Sequence, residues 1–327
     1  MNRDRPSFSI AIAAYQAAAT IGQAVESALA QTLPAAEITV CDDGSTDDLE
    51  QALEPFRGRI ALVRQQHGGA AAAKNTAARA TTGDFVAFLD ADDVYYPRRL
   101  EELAELAVER PDLDVLTTNA DIEVNGEVIG TYYPDVADFP VADQPLAIIA
   151  SDSAIFSAAA VRRSVFEAAG GLNEELRSGD DWELWLRLTL GGSTIGLVDE
   201  ALYRYRVHEL GASADQLGGA RDAVQLFEGV LPLAEPGTRE RSALEEALAS
   251  HRRAAALVDA EHALRTRAPG RRVRSLTVAR SSAFPLRTRV KALFAVAFPA
   301  LSGRLLESRE RRTGLSRLRK PMPAPKR

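Results

Sequence analysis

The stretch Phe85-Val86-Ala87-Phe88-Leu89-Asp90-Ala91-Asp92-Asp93 joins an apolar run to three carboxylates within four residues. A run rich in Phe and Val predicts a buried strand. Carboxylates at the end of such a strand are costly unless something compensates them, because unpaired buried charge is strongly unfavourable. A divalent cation is the simplest compensation, since Mg²⁺ or Mn²⁺ takes a few oxygen ligands and shares the rest with substrate phosphates. In an open α/β sheet, ligands also lie outside the carboxyl ends of the strands. The plainer reading is an Asp-rich turn after a strand, with Asp as a helix cap. Asp-X-Asp alone does not decide between the two.

Outward from this stretch, short strands alternate with helices. Strands are expected at 8–13, 37–41, 60–63 and 85–89, and helices at 17–31, 47–56, 70–80 and 97–110. That alternation predicts a largely parallel sheet covered on both faces. Further strands are expected at 115–119, 122–124 and 128–133, with Asn125-Gly126 as a hairpin turn. Residues 160–169 and 181–190 are expected as helices, 195–198 and 202–207 as strands. After Gly211 the helical pattern dominates, at 220–231, 239–265 and 288–298. The domain boundary falls near Ser213, giving 1–212 as the catalytic unit and 213–327 as a helical, basic appendage.

Four more motifs fall at the expected ligand edge. Ala13-Ala14-Tyr15-Gln16 ends the first strand; small side chains such as Ala13 admit a ligand, and Tyr15 can stack on a base. Asp42-Asp43-Gly44-Ser45 follows the second strand. A carboxylate fixed there can accept the N–H of a pyrimidine ring, although Asp43-Gly44 also makes an ordinary turn and Ser45 or Thr46 an ordinary helix cap. His67-Gly68-Gly69 opens a helix that carries Lys74, and helix N-termini favour anions. Gly179-Asp180-Asp181-Trp182 starts another helix after a Gly-rich loop; one acid is an N-cap by default, and the second, beside Trp182, suits a general base. Arg206 and His208 end a strand of alternating aromatic and basic residues and could bind phosphate or metal, though a lone His is more often structural.

Taken together and in this order, the motifs resemble the family 2 glycosyltransferases of the nucleotide-sugar-binding fold called GT-A. The resemblance covers about residues 7–211. It implies an α/β fold with a mostly parallel central sheet flanked by helices, followed here by a C-terminal helical region. It implies a nucleotide-diphosphate-sugar donor pocket of Ala13, Tyr15, Asp42, Asp43, Lys74, Asp90 and Ala91, with Asp43 at the pyrimidine. It implies Asp92 as the ligand of Mg²⁺ or Mn²⁺ and Asp181 as the catalytic base of an inverting transfer; His208, from the strand reading above, is a second candidate metal ligand. Asp180, Trp182 and Arg206 fall to the acceptor side, and Asp93 to a cap. Two positions depart from the family pattern: Pro-X-Tyr-Asn is Ala13-Ala14-Tyr15-Gln16 here, and Glu-Asp is Asp180-Asp181. The donor implied is a UDP-sugar and the acceptor a saccharide or lipid-linked hydroxyl, in cell-surface polysaccharide or glycolipid synthesis. A catalytically silent nucleotide-sugar-binding protein and a sugar nucleotidyltransferase are the alternatives. The second normally carries Arg and Lys in the loop after its first strand, and residues 13–20 contain neither.

Composition frames the rest. The chain has 327 residues, is 46% hydrophobic and 26% charged, and has one cysteine, Cys41. These values allow a sizeable core and exclude an internal disulfide framework. The start of the chain shows no secretory h-region and no apolar run spans a bilayer, so a cytoplasmic location is expected. The formal charge of −7 hides an asymmetry: residues 265–327 hold 18 Lys or Arg against two Glu, or +16, which leaves −23 for residues 1–264. The acidic body argues against nucleic acid. The basic region, 265–320, suits the inner face of an anionic membrane, with its own acidic body or a second subunit of a homodimer as competing partners.

Overall fold

The computed structural model describes residues 5–151, 154–207, 216–303 and 305–306. Their centre is a nine-stranded sheet. Its first four strands, β1 (Phe8–Ala14), β2 (Glu37–Asp42), β3 (Ala61–Arg64) and β4 (Phe85–Asp90), run parallel in the order β3-β2-β1-β4. Ser9, Ile10, Ala11 and Ile12 of β1 are all fully buried, as a strand covered on both faces requires. The connecting helices are α1 (Ile21–Leu29), α2 (Leu49–Leu53), α3 (Ala70–Arg79) and, after β4 and the short β5 (Val94–Tyr95), α4 (Arg99–Glu109).

Beyond β4 the sheet becomes mixed. β8 (Ala160–Arg162) runs antiparallel between β4 and β6 (Val115–Val124), and β9 (Ile195–Val207) lies parallel to β6. β7 (Glu127–Thr131) makes a hairpin with β6 through Asn125 and Gly126, both at positive φ, as a tight primed turn needs. The helix expected over 160–169 is β8 followed by a shorter α6 (Arg163–Ala168). Ala160-Val161-Arg162 has no strand signature of its own; the gap between β4 and β6 makes it one. Likewise 115–124 and 195–207 are single strands, not the broken pairs the sequence suggests. Register shifts near Asn119 and Ile122 absorb the irregular residues within a continuous ladder.

The helical remainder comprises α5 (Gln144–Ala150), α7 (Asp180–Leu190), α8 (Gln216–Val230), α9 (Arg239–Arg265), α10 (Arg271–Arg280) and α11 (Leu286–Ala297). Sequence pattern alone did not separate α5 or α10. Leu226, Phe227 and Val230 of α8 and Leu244 and Leu248 of α9 share one apolar cluster with the sheet and α7. Trp182 joins these parts: its ring packs against Phe227 and His251, and its indole N–H donates to Ile148 O at 2.7 Å.

Candidate active site

The register of the parallel strands brings the sequence motifs to one edge. Ala13 lies opposite both Cys41 and Asp90, Ala14 opposite Asp42, and Asp42 opposite Arg64. Three βα loops therefore start from the same line across the sheet.

Two of these loops are stitched together by Gln16, one of the residues that depart from the family pattern. At φ 53° it turns its side chain onto the neighbouring loop, where Oε1 accepts from Thr46 N (2.8 Å) and Asp47 N (3.2 Å). Ser45 Oγ, expected to cap a helix, instead accepts from Gln16 N at 3.0 Å, and Asp42 Oδ1 accepts from Ser45 N. Gly44 is required here. It sits at φ 76°, and a Cβ there would come within 3.0 Å of His67 N.

Asp43 is almost fully buried and has four donors. Oδ1 accepts from Gln65 Nε2 and Gly68 N, both at 2.8 Å, while Oδ2 accepts from Gly69 N at 2.9 Å and meets His67 Nδ1 at 2.8 Å. Gly68 and Gly69 are the entry to α3, which has no capping side chain of its own. Asp43 thus supplies from the next strand the acceptor that the helix's orphan amides need. The anion-favouring helix start seen in the sequence is served by a protein carboxylate. His67, held in this way, stacks on Tyr15 with ring centroids 4.1 Å apart. Tyr15 is 48% exposed, so the pair offers an aromatic face at the strand edge.

Lys74 reaches that edge because α3 is built from alanine. Ala71, Ala73, Ala77 and Ala78 are buried, and such small side chains let the helix lie close against β1 and β2. Lys74 Nζ lies 2.9 Å from Asp90 Oδ1. Burial works against its charge, but Asp90, Asp180 and Asp181 outweigh that and push its pKa above the ordinary range. One ammonium thus faces three carboxylates.

Asp180 and Asp181 open α7 behind Gly179, whose left-handed φ of 75° makes it, not Asp180, the N-cap. Burial, reinforced by Asp180 and opposed by Lys74, pushes the Asp181 carboxyl up to about 6. Asp180 Oδ2 is buried with no hydrogen-bond partner. Both acids owe their position to a clamp between α3 and the preceding loop. Asn75 Oδ1 accepts from Leu172 N, and its Nδ2 donates to Leu172 O and Glu174 Oε1, each at 2.9 Å. Gly171, at φ 81°, could carry no Cβ without reaching 2.6 Å from Asn75 Oδ1. Arg187 of α7 completes the clamp by donating to Gly171 O at 2.7 Å. The sequence carries the Asn75 signal one residue after Lys74, but its role needs Leu172, 97 residues later.

The carboxylates after β4 divide their roles. Asp93 caps no helix: α4 begins six residues on, at Arg99. It is buried, and accepts from Tyr203 Oη at 2.7 Å and from Arg206 N at 2.8 Å, so it ties the turn to β9. Burial and the neighbouring Asp90 and Asp92 raise its pKa well above the usual carboxyl range. Beneath it the buried Arg99 guanidinium lies against the Tyr95 and Tyr203 rings, 4.7 and 5.0 Å from their centroids. Arg206 is engaged by Glu123 at 3.3 Å, Gln23 Oε1 at 2.7 Å and Asp92 O at 3.3 Å. Trp182 turns toward α5, α8 and α9, as described above. Ala91 is buried between Asp90 and the half-buried Asp92, and His208 lies outside the described residues.

Among the described residues, no three His, Cys, Asp or Glu side chains converge as a metal cage. Asp92 and Asp90 are hard oxygen donors at a strand end, with Asp90 also paired to Lys74. This donor set fits Mg²⁺ or Mn²⁺ where substrate phosphates complete the shell.

Known proteins share this architecture. The chain is 32% identical to a chondroitin synthase of Escherichia coli over 56% of this chain and 26% of that one. It therefore spans about a quarter of that relative's length. It is 30% identical to the succinoglycan biosynthesis protein ExoU of Rhizobium meliloti, over 75% of this chain and 74% of that one. S. aureus TarS 1–349, solved with UDP-GlcNAc, superposes with a TM-score of 0.61 at 20% identity, covering 94% of this chain and 92% of that one. The mannosyltransferase PcManGT of Pyrobaculum calidifontis, solved with GDP-Man and Mn²⁺, gives 0.58 at 20% identity over 96% and 82%. The sequence pattern of Glycosyl transferase family 2 matches residues 9–169, and with this fold, these strand-end carboxylates and the extended match to ExoU, the chain belongs to that family.

Proposed function

We propose that the chain transfers a sugar from a nucleotide-diphosphate donor, with UDP preferred, to a hydroxyl of a saccharide or lipid-linked acceptor. The chemistry is a single displacement that inverts the anomeric centre, in polysaccharide or glycolipid assembly. The observation that carries this reading is Asp181, a carboxyl pushed up to about 6 beside the Lys74–Asp90 pair. A base with a pKa just below neutrality is ionised at working pH yet still accepts a proton readily. Chondroitin synthase and ExoU as relatives support the polysaccharide context.

In this mechanism the Asp181 carboxylate takes the acceptor's hydroxyl proton as that oxygen bonds to the anomeric carbon. The bond from that carbon to the diphosphate breaks, and its electron pair leaves with the diphosphate. Base and leaving group then occupy opposite faces of the sugar, as in other inverting displacements. The base of the nucleotide meets the Tyr15–His67 face and the wall ordered by Asp43. Lys74 holds positive charge at the donor edge, where negative charge develops. Asp92, with Asp90 beside it, would hold Mg²⁺ or Mn²⁺, which when bound supplies further charge neutralisation for the departing diphosphate. Residues 1–212 form the catalytic unit in this reading, braced through Trp182 by the helices that follow.

The test is Asp181→Asn, with transfer measured across pH and nucleotide binding measured by calorimetry with Mn²⁺. Transfer is expected to fall by about 10³-fold, with UDP binding within about threefold of the parent and tighter than GDP. In the parent, protonation removes the base, so the rate should rise with pH up to about 6 and level off above it. Undiminished turnover in the Asn variant overturns the assignment of the base. Equal binding of GDP overturns the preference for UDP.

A further inference from the structure

Helix α11 packs inside out. Its buried residue is Ala295, while Leu286, Val290, Leu293 and Phe294 are exposed, Leu286 by 71%. At about 100° per residue these four and Ala297 fall within an arc of about 100°, with Ala295 opposite. The large apolar residues thus face outward, and a small one faces the body. Phe298, Leu301 and Leu305 continue the exposed apolar series beyond the helix. Burying side chains of this size normally stabilises a fold. A contiguous exposed stripe of this kind therefore marks a surface made for an occupant.

Charge identifies the occupant. From Arg265 to Leu306 the sequence has ten Lys or Arg and no Asp or Glu. Around α11, Arg287 and Lys291 border one side of the apolar arc and are exposed, while Arg289 borders the other. Arg289 spends its Nε on Ala279 O of α10, which locks the two helices together. On the far side of α10, Arg274 pairs with Asp259 of α9 at 2.8 Å, so the unit is fixed to the body. Arg272 and Arg280 of α10 are exposed as well. A two-fold pairing of this face with a second copy would set cations against cations. An anionic bilayer offers hydrocarbon at the depth of the apolar arc and phosphate at the level of its border. No helix among the described residues is long and apolar enough to cross a membrane, so contact by this face is peripheral.

We propose that α10 and α11 form a docking surface for an anionic lipid bilayer. Leu286, Val290, Leu293 and Phe294 enter the headgroup region, and Arg287 and Lys291 meet lipid phosphates. The inference is independent of the sugar and the acceptor.

The experiment is co-sedimentation of the full chain with phosphatidylcholine vesicles and with vesicles carrying about 30% phosphatidylglycerol. Binding is expected to be at least about tenfold stronger to the anionic vesicles and to weaken steeply between about 0.1 and 1 M salt. Arg287→Glu with Lys291→Glu should lose about tenfold or more of that preference. Leu293→Glu with Phe294→Glu should abolish binding while nucleotide affinity stays at the parent value. Hydrogen exchange on the unmutated chain should show vesicle-dependent protection over residues 286–297, which settles the matter even where a variant folds poorly. Equal binding to both vesicle types, or none to either, overturns the proposal. So does a dimer in sedimentation analysis that the Glu substitutions dissociate, because the face then belongs to a second copy.

Discussion

At the carboxyl edge of the sheet the chain buries charge, and along α11 it exposes hydrocarbon. Both regions break the usual distribution of side chains, in opposite directions. At the sheet edge each exception is answered from within the chain: Asp43 has four donors, Asp93 has Tyr203 and Arg206, and Asp90 has Lys74. The unspent part is a buried Asp180 oxygen and the Asp181 carboxyl, pushed up to about 6. Along α11 the described residues leave the exposed leucines and phenylalanines uncovered. Where exceptions are compensated they fix a geometry, and where hydrocarbon is left uncovered it forms a surface.

The largest effect should come from Lys74→Met, which keeps length and removes the cation. Asp90, Asp180 and Asp181 then face one another without it. We expect transfer to fall by about 10³-fold and stability by about 2 kcal/mol in denaturant unfolding, discounted because Asp90 is one-third exposed. Lys74 restrains the Asp181 pKa, so any residual activity should rise with pH only above about 6. A variant of parental stability and pH profile would show that the sheet edge does not depend on this ammonium, and the comparison would break there.

Asn75→Ala tests whether the clamp positions Asp181. Leu172 N and O lose their partners, at a cost of about 1–3 kcal/mol. Because α7 would shift against the donor side, kcat should drop by about tenfold or more with KM nearly unchanged. A raised KM with kcat unchanged would place Asn75 in donor binding instead.

The smallest effect should be Phe294→Ser. A core Phe so truncated would cost several kcal/mol, but an exposed one should change the unfolding free energy by less than about 0.5 kcal/mol and leave transfer in solution untouched. A larger loss would mean that α11 is packed after all, and the contrast between the two regions would close.

The sequence made the site legible where one strand or one turn carried the chemistry. Asp90 and Asp92 follow an unmistakable apolar strand, Asp43 follows another, and Asp181 opens a helix after a glycine loop; period and local turn chemistry suffice for these. Asp93 was misread as a cap because its partners, Tyr203 and Arg206, lie 110 and 113 residues away. In the sequence Gln16 is only a departure from a pattern, whereas in the fold its side chain joins two loops. The strand at 160–162 was missed for the same reason: three residues cannot signal a strand, and the sheet on either side imposes it.

By itself the sequence determined the parallel βα order of the first half, the residues at its strand ends and the split between an acidic body and a basic end. These are written in hydrophobic period, turn residues and charge, all of which act over a few positions. The tertiary structure decided what those residues meet. It gave Asp43 to the start of α3 and Lys74 to three carboxylates, turned Trp182 toward the helical region and directed the leucines of α11 outward. Such pairings arise from register and packing between distant segments, and no local pattern encodes them.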